Sequence, residues 1–238
     1  AIRDGDHYLI SGQKTWSSRA AFADWGFGIF RTDPDSKRHK GLTFILFDLN
    51  TPGVTRRPIR QLHGHPGFAE LFFDDCRIPV GNLIGAENMG FACIMGNFQS
   101  ERLALALMAN MTAQLALEES LKWAREREAF GKPIGKFQVI KHRLAEMATA
   151  LEVSREFTYR QAAKMAAGQS VIKEISMAKN FATDTSDRIT SEAVQILGGL
   201  GYMRESLVER LYRDNRILSI GGGTREVMNE IISKQMGL

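Results

Sequence analysis

Residues 90–133, GFACIMGNFQSERLALALMANMTAQLALEESLKWAREREAFGKP, decide the fold. Ile94, Phe98, Leu105, Met108 and Leu115 recur at steps of three, four and seven, the spacing of one helical face. Gly131-Lys132-Pro133 ends that helix. Downstream, Ile140, Leu144, Met147 and Leu151 mark the core face of a second helix, and Ala167-Gly168 separates it from a third. The third carries Ile172, Ile175, Ala182 and Ile189 and stops near Gly198-Gly199; two shorter helical segments follow, Glu205 to Arg213 and Thr224 to Gln235. Residues 86–238 therefore read as an antiparallel four-helix-type bundle. Upstream the period is different. Trp25, Phe27 and Ile29 alternate with small residues, LTFILF and ELFF are short apolar runs, and Asp33-Pro34-Asp35-Ser36, Thr51-Pro52-Gly53 and HGHPG (63–67) are turns. Residues 1–85 read as a small antiparallel β-barrel or sheet domain, so the class is α+β.

Composition narrows the function. In 238 residues, 44% hydrophobic content fills a core, and no run approaches the ~18 apolar residues of a membrane span. The charge of +4 is interleaved with acids, as in Arg125-Glu126-Arg127-Glu128, which argues against nucleic acid and suits a small ligand bearing several phosphates. Cys76 and Cys93 form no CxxC pair, and His63 and His65 lack carboxylate or thiolate neighbours, so neither a disulfide nor a metal site is expected. Met108, Met111 and Met147 read as core filling, and Asp187-Arg188 as a solvated helix edge. The opening Ala1, beside an Asp4-Gly5-Asp6 turn, suggests that the gene product extends upstream.

Two features carry chemistry. Glu101 interrupts the apolar stripe, three residues after Phe98 and four before Leu105, which aims a carboxylate at a core. Desolvation there would raise its pKa above the usual ~4.3, as suits a base working near neutrality; a structural ion pair is the plainer alternative. The second feature is glycine clustering, in QILGGLGY (195–202) and SIGGGTREVM (219–228). A glycine-rich approach to a helix offers N–H donors to a phosphate or oxyanion, although such strings also serve simply as turns.

Four motifs in collinear order resemble the acyl-CoA dehydrogenase family, over nearly the whole chain. GQKTWSSRAAFAD (12–24) is similar to the family's G-x-K-x-W-I-T-N-x-x-x-A-D. REAFGKPIGKFQ (127–138) resembles R-x-x-F-G-x-x-x-x-x-x-Q, QILGGLGY resembles Q-x-x-G-G-x-G-Y/F, and LYRDNRILSIGGGTREVM (211–228) resembles Y-R-D-x-R-x-x-x-I-Y-E-G-T-x-E. The last departs from its pattern: most members keep the catalytic Glu directly before Gly-Thr, where this chain has Gly222, with Gly221 in place of Tyr. The long-chain and isovaleryl branches place the base on the first long helix of the bundle, directly before an Arg, and Gln99-Ser100-Glu101-Arg102 is similar to that arrangement.

The resemblance implies FAD-dependent dehydrogenation of an acyl-CoA to the trans-2-enoyl-CoA. Glu101 is then the base and the Gly222 N–H a donor to the thioester oxygen, with Gln99 and Arg102 near the thioester. Trp16 and Ser18 lie against the flavin, Ser18 replacing the family's Thr. Arg127, Phe130, Gln138, Gln195, Gly198 and Gly199 match positions that hold FAD of a neighbouring subunit, and Thr224 and Glu226 match residues beside the dinucleotide. A homodimer or homotetramer, an electron-transferring flavoprotein as acceptor, and a bacterial cytoplasmic or mitochondrial-matrix location follow from the same resemblance. It also implies an all-helical N-terminal domain absent from this chain. Acyl-CoA oxidases and flavin monooxygenases share the architecture, and a non-catalytic FAD-binding relative is a further alternative.

Overall fold

The computed structural model describes residues 1–238, which divide into two compact units, Ala1–Asn97 and Phe98–Leu238. The strands are β1 (Ile2–Asp4), β2 (His7–Ser18), β3 (Trp25–Arg31), β4 (Leu42–Asp48), β5 (Val54–Ile59), β6 (Phe68–Pro79) and β7 (Leu83–Ile84). The long helix α1 (Gly90–Glu126) begins in the first unit and ends in the second. A two-strand hairpin, β8 (Glu128–Ala129) and β9 (Lys132–Pro133), leads to α2 (Gln138–Ala166), α3 (Ile172–Leu197), α4 (Gly199–Tyr202), α5 (Leu207–Asn215) and α6 (Arg225–Gln235).

Strict alternation builds the first unit. In β4, Thr43, Ile45 and Phe47 point inward and their neighbours outward. In β6 the inward set is Ala69, Leu71 and Phe73, then Cys76 and Ile78, so the phase slips by one residue at Asp74-Asp75. A bulge absorbs the slip: Ile10 pairs with Cys76 and Gly12 with Phe73, while the Ser11 hydroxyl donates to the Asp75 carboxylate at 2.6 Å. Phe30, Phe47 and Phe73 meet edge to face at centroid distances of 5.2 to 5.8 Å. In β3 the packed face is the glycine face. A Cβ on Gly26 would lie 2.7 Å from the Phe47 ring, so the sheet closes over that ring only because the residue has no side chain, and Trp25 and Phe27 point outward. The sheets are open, in the orders β1-β2-β6-β5 and β3-β4-β7, so of the expected barrel or sheet the structure has sheets and no closed barrel.

The helical unit packs on small residues. The buried stripe of α1 is Arg102, Ala106, Ala109, Ala113, Ala116, Ser120 and Ala124. Alanines let neighbouring helices approach closely, and one apolar cluster joins Ala113 and Ala116 to Leu144 and Met147 of α2, Ile189 and Ala193 of α3 and Val208 of α5. Close approach brings polar side chains together. Asn110 donates to the Thr158 hydroxyl at 3.0 Å and accepts from Ser154 at 2.5 Å. Ser186 and Asp187 of α3 both bond Asn215, and Asp187 also pairs with Arg216 at 3.7 Å. Asp187 is therefore a tied residue rather than the solvated edge expected. Of the three methionines read as core filling, Met147 is buried, whereas Met108 and Met111 are on the surface of the chain, because the buried stripe of α1 runs along its alanines. No helix is long and apolar enough to cross a membrane.

Candidate active-site residues

Helix α6 begins at Thr224, whose side chain accepts the Val227 N–H at the N-cap. The two residues before it hold the backbone in the left-handed region, Gly222 at φ 63° and Gly223 at φ 103°, which a residue with a Cβ resists. Space is also closed there. A Cβ on Gly222 would collide with the Leu105 side chain of α1, and one on Gly223 would lie 2.6 Å from the Met228 methyl. The glycine at position 222 thus removes both a side chain and the conflict it would have with Leu105.

Lys179 of α3 reaches into this turn. Its side chain is 0% exposed, and its ammonium donates to the Gly223 carbonyl at 2.6 Å. Burial pushes its pKa down to about 8, the nearby Arg102 guanidinium pushes the same way, and Glu101 opposes both. Arg102 is 7% exposed, stacks over the Phe98 ring at 5.2 Å, and is itself lowered by burial against the pull of Glu101. The structure therefore brings together Glu101, Arg102 and the Gly222 turn, with Lys179 as a member that sequence reasoning missed. Its signal lay in the period: Lys179 falls four residues after Ile175 and three before Ala182, on the buried face.

The expected burial of Glu101 is corrected. Its side chain is exposed in the chain, and the next residue, Arg102, occupies the buried stripe. One position along a helix is a rotation of about 100°, and the alanines at 106, 109 and 113 place the packed face on the Arg102 side. Two atoms close by lack partners: the Gln99 side-chain oxygen and Arg102 Nε are buried without a hydrogen bond.

In the first unit, Trp16 sits at a second register shift of β2, between Lys14 and Ser17, with φ 61° and 67% of its surface exposed. Its ring meets Phe68 edge-on at 6.4 Å. A non-glycine residue held at positive φ in a bulge is a common mark of a functional position, and here it presents an indole and, two residues on, the exposed Ser18 hydroxyl. In the second unit Arg127 lies over Trp123 at 5.8 Å, and Phe130, at φ 50°, is 95% exposed at the tip of the β8–β9 hairpin. Gln138 is the first residue of α2 and is exposed. Gln195 is exposed near the end of α3, Gly198 caps that helix at φ 61°, and Gly199 follows, also exposed. Glu226, in the first turn of α6, has its carboxyl held below the usual range, first by its own backbone N–H and then by the Thr224 side chain. The HGHPG segment is a turn, in which His63 bonds Gln61 at 2.6 Å and accepts the His65 N–H at 3.1 Å. No group of three or more His, Cys, Asp or Glu is placed to hold a metal.

Residues 88–237 match the acyl-CoA dehydrogenase C-terminal domain, and residues 1–76 the middle domain. The chain is 36% identical over 238 residues to cyclohexane-1-carbonyl-CoA dehydrogenase of Geobacter metallireducens, covering 99% of this chain and 62% of that protein. It is 37% identical over 235 residues to the caffeyl-CoA reductase-Etf complex subunit CarC of Acetobacterium woodii, covering 98% of this chain and 62% of that protein. The crystal structure of an acyl-CoA dehydrogenase from Geobacillus kaustophilus superposes with a TM-score of 0.96 at 38% identity, covering 100% of this chain and 63% of that one. The chain thus spans less than two thirds of the length of these relatives.

Proposed function

The chain belongs to the acyl-CoA dehydrogenase family, and from that footing we propose that the whole protein carries out FAD-dependent α,β-dehydrogenation of an acyl-CoA thioester, with Glu101 as the base. The observation that carries the reading is the pairing of Glu101 with an emptied position. Leu105, one turn along α1 from Glu101, fills the space a side chain at 222 would need, and Glu101 is the carboxylate whose charge acts on both Arg102 and Lys179.

The residues present suit a flavin and a thioester. Trp16 offers an aromatic face and Ser18 a hydroxyl, both exposed. Open space over Gly198 and Gly199 lets a phosphate approach the backbone, and the unpartnered Gln99 oxygen and Arg102 Nε are ready for hydrogen bonds. When bound, FAD supplies the acceptor for the substrate's β-hydride. Glu101 takes the α-proton; exposed in the chain, it is open to a substrate, and the seated acyl chain supplies the desolvation that strengthens it as a base. The Gly222 N–H donates to the thioester oxygen as negative charge develops there, a role that needs no side chain. Gln99 and Arg102 hold the thioester, and Thr224 and Glu226 stand beside the dinucleotide.

The exposure and strained backbone of Phe130 support a neighbouring copy as its cover, with Arg127, Gln138 and Gln195 contacting that copy's FAD in a homodimer or homotetramer. The likeness to a subunit named for an Etf complex supports an electron-transferring flavoprotein as acceptor.

The test is Glu101→Gln in the full-length protein, followed by anaerobic bleaching of its flavin with short, branched and long acyl-CoAs. The expected loss is about 10²- to 10⁴-fold with FAD still bound. Unchanged bleaching would remove Glu101 as the base, and fast reoxidation of the reduced flavin in air would replace the dehydrogenase with an oxidase.

A further inference from the structure

A lysine that is 0% exposed and makes no salt bridge is unusual, because the ammonium loses its water and gains no carboxylate in exchange. Lys179 is such a residue. The rest of its face on α3 is Ile175, Ala182, Ser186 and Ile189, and a methionine or leucine would pack there without the penalty. What the ammonium gains is one carbonyl, that of Gly223, at 2.6 Å. This carbonyl precedes the N-cap of α6 and belongs to a turn of three consecutive glycines, Gly221 to Gly223, the part of the site with the most backbone freedom to lose. The side chain passes close beneath the turn, its Cε 3.9 Å from the place a Cβ on Gly222 would occupy. Around the ammonium, α1 contributes the charges of Glu101 and Arg102, and the turn contributes the carbonyl.

We propose that Lys179 is a positioning residue, which grips the Gly223 carbonyl and so locks the Gly222–Gly223 turn over α1 with the Gly222 N–H held ready for the thioester oxygen. Its catalytic half rests on the dehydrogenase reading above; the grip itself does not. Position 222 has no side chain, and the turn is flanked by Leu105 on one side and Lys179 on the other.

The experiment uses the full-length FAD-bound protein and its Lys179→Met variant, which keeps the unbranched stem as far as Cε and removes the donor. Peptide hydrogen exchange is read over Ser219–Met228, and acetoacetyl-CoA serves as an enolisable probe whose bound enolate is titrated by its long-wavelength flavin absorbance. In the variant, exchange in 219–228 should rise about tenfold while Leu144–Leu151 stays protected. The pH for enolisation should rise by about one unit, and kcat should fall about tenfold or more with KM little changed. Lys179→Gln, polar but shorter and uncharged, should fall between wild type and Lys179→Met, and replaces it if the methionine variant fails to fold. Unaltered exchange in 219–228 overturns the grip. Faster exchange with unaltered enolisation and kcat overturns the positioning role and leaves a structural lysine. Wild-type protein that cannot enolise acetoacetyl-CoA counts against the dehydrogenase reading, while the exchange result still decides the grip.

Discussion

The cores of the two units are built from different materials. In the β unit the buried side chains are large and apolar, among them Tyr8, Ile10, Ile45, Phe47 and Phe73. In the helical unit alanine dominates the buried stripe of α1, and Asn110, Ser154, Thr158, Lys179 and Ser186 are buried beside it. A core of rings is held by area removed from water, and losing one ring leaves a hole. A core of small residues is held by close approach, and its stability depends on every polar group inside finding a partner. The difference explains where chemistry can be installed. A buried cation such as Lys179 fits where short side chains leave room and a backbone carbonyl is within reach; between the sheets Lys14 meets the same conditions beside Gly28, where it donates to the Ile29 carbonyl at 2.7 Å but stays partly exposed.

Substitutions test how each core is held. The largest effect should come from Phe47→Ala, which removes a ring packed against both Phe30 and Phe73 and should lower stability by about 3–5 kcal/mol in urea unfolding followed in the first unit. Asn110→Ala deletes little volume but strands the Ser154 hydroxyl and leaves the Thr158 hydroxyl only its bond to the Ser154 carbonyl, and should cost about 1–3 kcal/mol. A loss much below that would mean the polar pairs are incidental to helix packing. Gly222→Ala should cost about 1–2 kcal/mol, because it places a Cβ at positive φ against Leu105; pairing it with Leu105→Ala should recover the steric part and leave the backbone part, as thermal melts would show. A separate effect is in pH dependence. Lys179 has a folded pKa of about 8, and an unfolded lysine titrates near 10.4, so its burial penalty is complete below pH 8. As the pH rises through about 8 the folded protein releases this proton while the unfolded chain keeps it, and stability increases until about pH 10.4. Melting curves should therefore show wild type gaining on Lys179→Met between those values, and a constant difference would mean that Lys179 is not desolvated.

The apolar runs that became β4 and β6 and the helical periods of α2 and α3 were legible because each depends on neighbours within a few residues. Met147 and Leu144 fell where the period put them. Met108 and Met111 did not, because a helix rich in both leucine and alanine offers two candidate faces, and its partners select the narrower one. Asp187 looked solvated because its partners, Asn215 and Arg216, lie about thirty residues away in sequence, beyond the reach of any local pattern.

Sequence alone determined the order of strands and helices, the family to which the chain belongs, and the absence of a carboxylate at position 222 alongside its presence at 101. Those facts are written in residue identity and spacing. Only the tertiary structure decided that Arg102 rather than Glu101 faces inward, that Leu105 occupies the space left by Gly222, and that Lys179 bonds the Gly223 carbonyl. Each depends on the rotation of one helix against another, and that rotation is set by the packing of distant side chains rather than by the periodicity of a single segment.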